Sequence, residues 1–79
     1  MLPRGLKLFI ADIVDEETQE QEDWYVVGKT YDSAFKKFVK EANKCWYRYS
    51  YYFYEVEDNS VIAEFIEYYD DIKAGIYDK

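Results

Sequence analysis

Tyr31, Ala34, Phe35, Phe38, Val39, Ala42 and Cys45 recur every three or four residues, while Lys36, Lys37, Lys40, Glu41 and Lys44 fill the opposite side. That spacing predicts an amphipathic helix with one apolar stripe. Such a helix is stable only when its stripe lies on another apolar surface, so the rest of the chain must supply one. Thr30 is placed to cap its start, Asp32 stands in the first turn and Lys44 near the far end, both suiting the helix dipole. Cys45 reads as a small apolar residue on the buried side of this helix rather than as a nucleophile.

Three segments read as strands. Residues 6–14 are β-branched and aromatic, with Leu6, Leu8, Ile10 and Asp12 on one side and Phe9, Ala11 and Ile13 on the other. Residues 15–23 contain no apolar side chain and read as a solvated loop, after which residues 24–29 form a second strand paired with the first as an antiparallel hairpin. Residues 47–57 carry aromatics at nearly every position and form the third strand, with Tyr47, Tyr49, Tyr51 and Phe53 on one face and Arg48, Ser50, Tyr52, Tyr54 and Val56 on the other. Asp58, Asn59 and Ser60 offer N-caps for a second helix whose stripe is Val61, Ile62, Phe65, Ile66, Tyr69 and Ile72, ending near Gly75 at C′. The expected fold is α+β, a three-stranded antiparallel sheet with two helices in the order β-β-α-β-α, covered on one face by one or both helices. Residues 1–79 make a single domain, because 79 residues are too few for two cores.

With one cysteine and no histidine, an internal disulfide, a four-ligand zinc site and a histidine-based nucleophile are all excluded within one chain. Gly5, Gly28 and Gly75 are too far apart to make a phosphate loop. A non-catalytic protein without cofactor or metal is therefore expected. No stretch approaches the ~20 apolar residues of a membrane span and the N-terminus lacks a signal peptide's apolar region, so the expected location is the cytoplasm, where a lone thiol stays reduced.

The net charge of −7 is unevenly distributed. Residues 12–23 hold seven acids and no base, residues 29–48 hold six bases and two acids, and residues 55–79 hold eight acids and two bases. Asp15, Glu16, Glu17, Glu20, Glu22 and Asp23 of the hairpin loop, with Glu64, Glu67, Asp70 and Asp71 on one face of the second helix, form the candidate partner-binding set. Closely spaced carboxylates imitate nucleic-acid phosphates, so the matching partner is a protein with a basic nucleic-acid-binding groove. The plainer alternative is that these acids are a solvated surface. A second candidate interface is the tyrosine-rich strand, Tyr47, Tyr49, Tyr51, Tyr52 and Tyr54, through which the chain would self-associate as a homodimer or adaptor. Direct nucleic-acid binding by Trp46, Tyr47, Arg48, Tyr49, Tyr51 and the helix lysines is opposed by a pI near 4.4. Paired carboxylates occur by chance among 17 acids and do not by themselves indicate an enzyme.

A strand ending in Val26-Val27-Gly28-Lys29-Thr30, followed by a helix beginning Tyr31-Asp32-Ser33-Ala34, resembles short accessory proteins of bacteriophages and mobile elements. The likeness covers about half the chain. It implies an anti-CRISPR or other anti-defence inhibitor, a type that includes DNA mimics, acting stoichiometrically in the host cytoplasm on a nucleic-acid-binding enzyme.

Overall fold

The computed structural model describes residues 2–3 and 5–78. Its elements run β1 (Lys7–Asp15), β2 (Gln21–Gly28), α1 (Tyr31–Cys45), β3 (Tyr49–Glu55), α2 (Asn59–Tyr68) and β4 (Gly75–Asp78). The fold is α+β, and its sheet is antiparallel with four strands in the order β3-β1-β2-β4 rather than three. The fourth strand begins at Gly75, where the second helix was expected to end.

α2 instead stops at Tyr68 and has no basic residue in its last turn. Continuing it would stack Glu67, Asp70 and Asp71 at the negative end of the helix dipole. The backbone leaves the helix there, and Asp71 takes a left-handed φ of 51°. Ile76 and Tyr77 then pair with Val26 and Tyr25. Tyr77 is held at the turn because its hydroxyl accepts from the Lys73 N–H and donates to the Lys73 carbonyl, each at 2.9 Å.

β1 and β2 explain the layering. Leu8, Phe9, Ile10, Ala11 and Ile13 of β1 and Trp24, Tyr25, Val26 and Val27 of β2 are all buried. Successive strand residues point to opposite faces, so the central pair is apolar on both sides and needs cover on both. The helices accordingly lie on opposite faces, not together on one. α1 packs Ala34, Phe38 and Ala42 onto Phe9, Ala11, Ile13, Trp24 and Val26. On the other face, Phe65 of α2 packs with Leu8, Ile10, Tyr25, Val27 and Val56.

The Thr30 cap is present as expected: its hydroxyl accepts from the Ser33 N–H, and the Ser33 side chain accepts from the Thr30 N–H. At the last helical position Cys45 is exposed, not on the buried side. The helix ends here as Trp46 turns inward against Trp24, their ring centroids 5.3 Å apart.

Gly28 brings β2 against the start of α1, and a Cβ on it would lie 3.0 Å from the Ala34 Cβ and 3.3 Å from the Ala34 backbone. Because the obstruction includes helix backbone, Gly28→Ala is expected to destabilise the fold by about 1–3 kcal/mol. Thr30→Ala, which removes only the cap, should cost about 1 kcal/mol. Urea midpoints at constant slope measure both.

Candidate acidic and tyrosine-lined face

Along the strands, the α2 side of the sheet changes character. Leu8 and Ile10 give way to Asp12 and Val14 on β1, and Val27 and Tyr25 give way to Asp23 and Gln21 on β2. β3 contributes Ser50, Tyr52 and Tyr54 to the same side through its pairing with Val14, Asp12 and Ile10. α2 covers only the apolar half. The other half is an open depression of about 510 Å³, with Asp12, Val14, Gln21, Asp23, Ser50 and Tyr52 among its lining residues.

Asp12 and Asp23 are direct cross-strand partners. Like charges in that position oppose pairing. Around them stand phenols: burial raises the pKa of Tyr54 above its ordinary 10.0, and the charges of Asp12 and Asp23 and a hydrogen bond with Asp12 push in the same direction. Burial likewise raises Tyr25, helped by Glu64, Asp23 and Tyr68. Glu64 of α2 and Asp23 of β2 thus act on one phenol from two elements.

The ten predicted acids do not form one set. Of the ten only Asp23 lines the depression, and its cross-strand partner Asp12 lay outside the expected set. Its signal was available in the β1 alternation, which placed it on the Leu8 and Ile10 side. Gln21, Glu22 and Asp23 are strand, not loop, because the β1 backbone continues to offer ladder partners at Val14, Ile13 and Asp12. Glu22 points to the α1 side, where its carboxylate accepts from the Trp24 indole N–H at 2.7 Å. In the turn, Asp15 accepts from the Glu17 N–H at 2.9 Å. Glu16 accepts from the Ser50 hydroxyl at 2.7 Å and lies 3.9 Å from Arg48. Glu17 and Glu20 are exposed at the tip. Glu67 is exposed on α2, but Asp70 and Asp71 lie beyond its end, so the expected helical strip of carboxylates is not formed. Asp71 pairs with Lys73 at 3.3 Å.

The five tyrosines are also divided. Tyr49 and Tyr51 face α1 and touch Phe38, with centroids at 6.4 and 5.3 Å. Tyr52 and Tyr54 face the other way, and Tyr47, which is 91% exposed, precedes the strand. They surround β3 and do not form one flat face, because the strand's period of two separates them.

Among the described residues, no group of three or more Cys, Asp or Glu side chains is placed to hold a metal ion, and no helix is long and apolar enough to cross a membrane.

The phenol shifts set an alkaline limit. Tyr25, Tyr49, Tyr54 and Tyr69 all hold their protons more tightly when folded, chiefly through burial. Their contribution to stability is complete below the unfolded value of about 10 and is lost as the pH rises through the higher folded values. Denaturant midpoints should therefore fall above pH 10, and Asp12→Asn should lower the ionisation pH of Tyr54 in a tyrosine-ring carbon NMR titration. Comparison with protein-family models, with curated proteins and with solved structures returns no match to this chain.

Proposed function

We propose that the chain is a non-catalytic binding protein whose acidic and tyrosine-lined face receives a basic surface of another protein. The observation that carries this reading is the cross-strand Asp12–Asp23 pair on the half of the sheet that α2 leaves open; Glu64 of α2 adds a carboxylate that acts, as Asp23 does, on the Tyr25 phenol. Selection for stability alone favours opposite charges at such positions. Carboxylates on a rigid ladder suit lysine and arginine heads, while the exposed Tyr52 ring and the neighbouring Tyr54 offer faces on which those cations can rest.

A basic groove that holds nucleic acid has this complementary chemistry. The resemblance to small acidic phage accessory proteins supplies the partner class, a host nucleic-acid-binding defence enzyme blocked stoichiometrically in the cytoplasm, with carboxylates standing where phosphates would. Asp12, Asp23 and Glu64 form the centre of the contact, with Glu16, Glu17 and Glu20 extending it into the hairpin turn.

Capture from bacterial host lysate at low salt tests this reading. The captured enzyme should elute as salt screens the contact and be displaced by competing duplex DNA. The Asp12→Asn, Asp23→Asn, Glu64→Gln triple variant should weaken capture by roughly a hundredfold, at ~1 kcal/mol for each lost charge. Asp70→Asn with Asp71→Asn should leave it unchanged. Equal capture by the two variants, or binding indifferent to salt, would remove the acidic face from the mechanism.

A further inference from the structure

β3 is the edge of the sheet, and its backbone pattern identifies which groups face outward. The Val56 N–H donates to the Leu8 carbonyl at 2.9 Å, and the Glu16 N–H donates to the Arg48 carbonyl at 3.1 Å. Opposed residues in an antiparallel ladder alternate between pairs that exchange hydrogen bonds and pairs that do not. These two bonded pairs bracket the register in which Tyr54, Tyr52 and Ser50 oppose Ile10, Asp12 and Val14. Those three residues therefore use their backbone groups on β1. The N–H and C=O groups of Tyr49, Tyr51, Phe53 and Glu55 point away from it, toward the open edge.

Edge strands are usually protected by lysine, proline, a bulge or short length. β3 runs Tyr49–Glu55 with neither lysine nor proline, and its register against β1 is uninterrupted. β4, the other edge, has only four residues. The α1 backbone lies closest to β2 and β4 and extends over β3 through Tyr31, Phe35 and Phe38. The Tyr31 hydroxyl donates to the Phe53 carbonyl at 3.4 Å, leaving that oxygen a second lone pair.

We propose that this edge pairs with the same edge of a second copy of the chain, antiparallel about a two-fold axis through Tyr52, to form one continuous sheet. Full overlap of the strand selects this register. Tyr49 then opposes Glu55 of the partner and Tyr51 opposes Phe53, each pair exchanging backbone hydrogen bonds. Tyr52 opposes Tyr52 and Ser50 opposes Tyr54 in the intervening positions. The strand is complementary to itself in charge, with Arg48 just before it, Glu55 as its last residue and Glu57 just beyond, so antiparallel pairing brings basic end to acidic end. Arg48 is 68% exposed despite its contact with Glu16 and can turn toward that end. The aromatics on both faces of β3 gain cross-strand aromatic neighbours in the pair. This pairing uses the strand edge and does not depend on the acidic face binding a basic partner.

Sedimentation velocity of the chain alone, over a concentration series, should show a monomer–dimer equilibrium. Because each copy carries a net charge of −7, added salt should strengthen it. Tyr52→Lys puts two like charges on the axis and should weaken the dimer by roughly tenfold. Tyr51→Pro removes an outward N–H without touching the β1 ladder and should abolish the dimer, with circular dichroism showing that the fold survives. Oxidation of Tyr52→Cys in a Cys45→Ser background fixes the register. Non-bonded antiparallel partners lie about 4.5 Å apart at Cα, within disulfide reach, so a cross-link should form quickly. Tyr51→Cys, displaced diagonally from its own copy, should cross-link slowly. A monomer at every concentration, or faster cross-linking by Tyr51→Cys, would overturn the proposal.

Discussion

Two-sided burial of the β1–β2 pair is the constraint on which the rest of the structure depends. Phe9, Ala11, Trp24 and Val26 meet one helix, while Leu8, Ile10, Tyr25 and Val27 meet the other. Once neighbouring residues on both strands are apolar, one helical layer cannot keep the pair from water, and the helices must separate. The chain achieves this by interposing β3 between them, as the central strand of the crossover from one face to the other. Consequently β3 is left at an edge with aromatics on both sides, and β4 closes the opposite edge.

The length of α2 determines what remains open. Ten residues give a helix of about 15 Å, which lies over the apolar end of the strands and leaves the Asp12 and Asp23 end uncovered. The same acidity that ends the helix also shapes the site. Glu67, Asp70 and Asp71 oppose further helix at a C-terminus, and the chain turns back to β4 before it can extend over the rest of the face. Carboxylates that look in sequence like a binding strip therefore serve first to limit the helix, and Glu64, one turn earlier, is the one that acts with Asp23 on the Tyr25 phenol.

The chemistry visible along one strand or one helix turn could be read from the sequence. The β1 alternation, the α1 stripe and the Thr30 cap all follow from local periodicity and hydrogen bonding. What was not local was misjudged. β4 is a four-residue strand whose only reason to be extended is the open edge of β2, and nothing within residues 75–78 announces that edge. Gln21, Glu22 and Asp23 are polar enough for a loop and become strand because β1 continues beside them. The acidic face was only half legible for the same reason: Asp23 stands out by charge, but its pairing with Asp12 requires the register between strands, and their exposure requires the placement of α2.

A two-fold axis normal to the sheet has a consequence for the two proposed surfaces. Rotation about it exchanges strands and leaves each face of the sheet on its own side, so both copies present their Asp12 and Asp23 faces in the same direction. Tyr52 both lines the depression and sits at the axis, which makes the two depressions neighbours across the shared edge. A duplex offers a phosphate about every 3.4 Å along each strand. Under the proposed mimicry, one face of a molecule with a long axis of 38 Å would imitate only a short piece of that array. Pairing at β3 lengthens the array without a new acidic residue, at the cost of bringing like charges together. The acids proposed to recognise a basic groove thus oppose the proposed dimer that would extend them, and the aromatic edge supplies the attraction that can offset this repulsion.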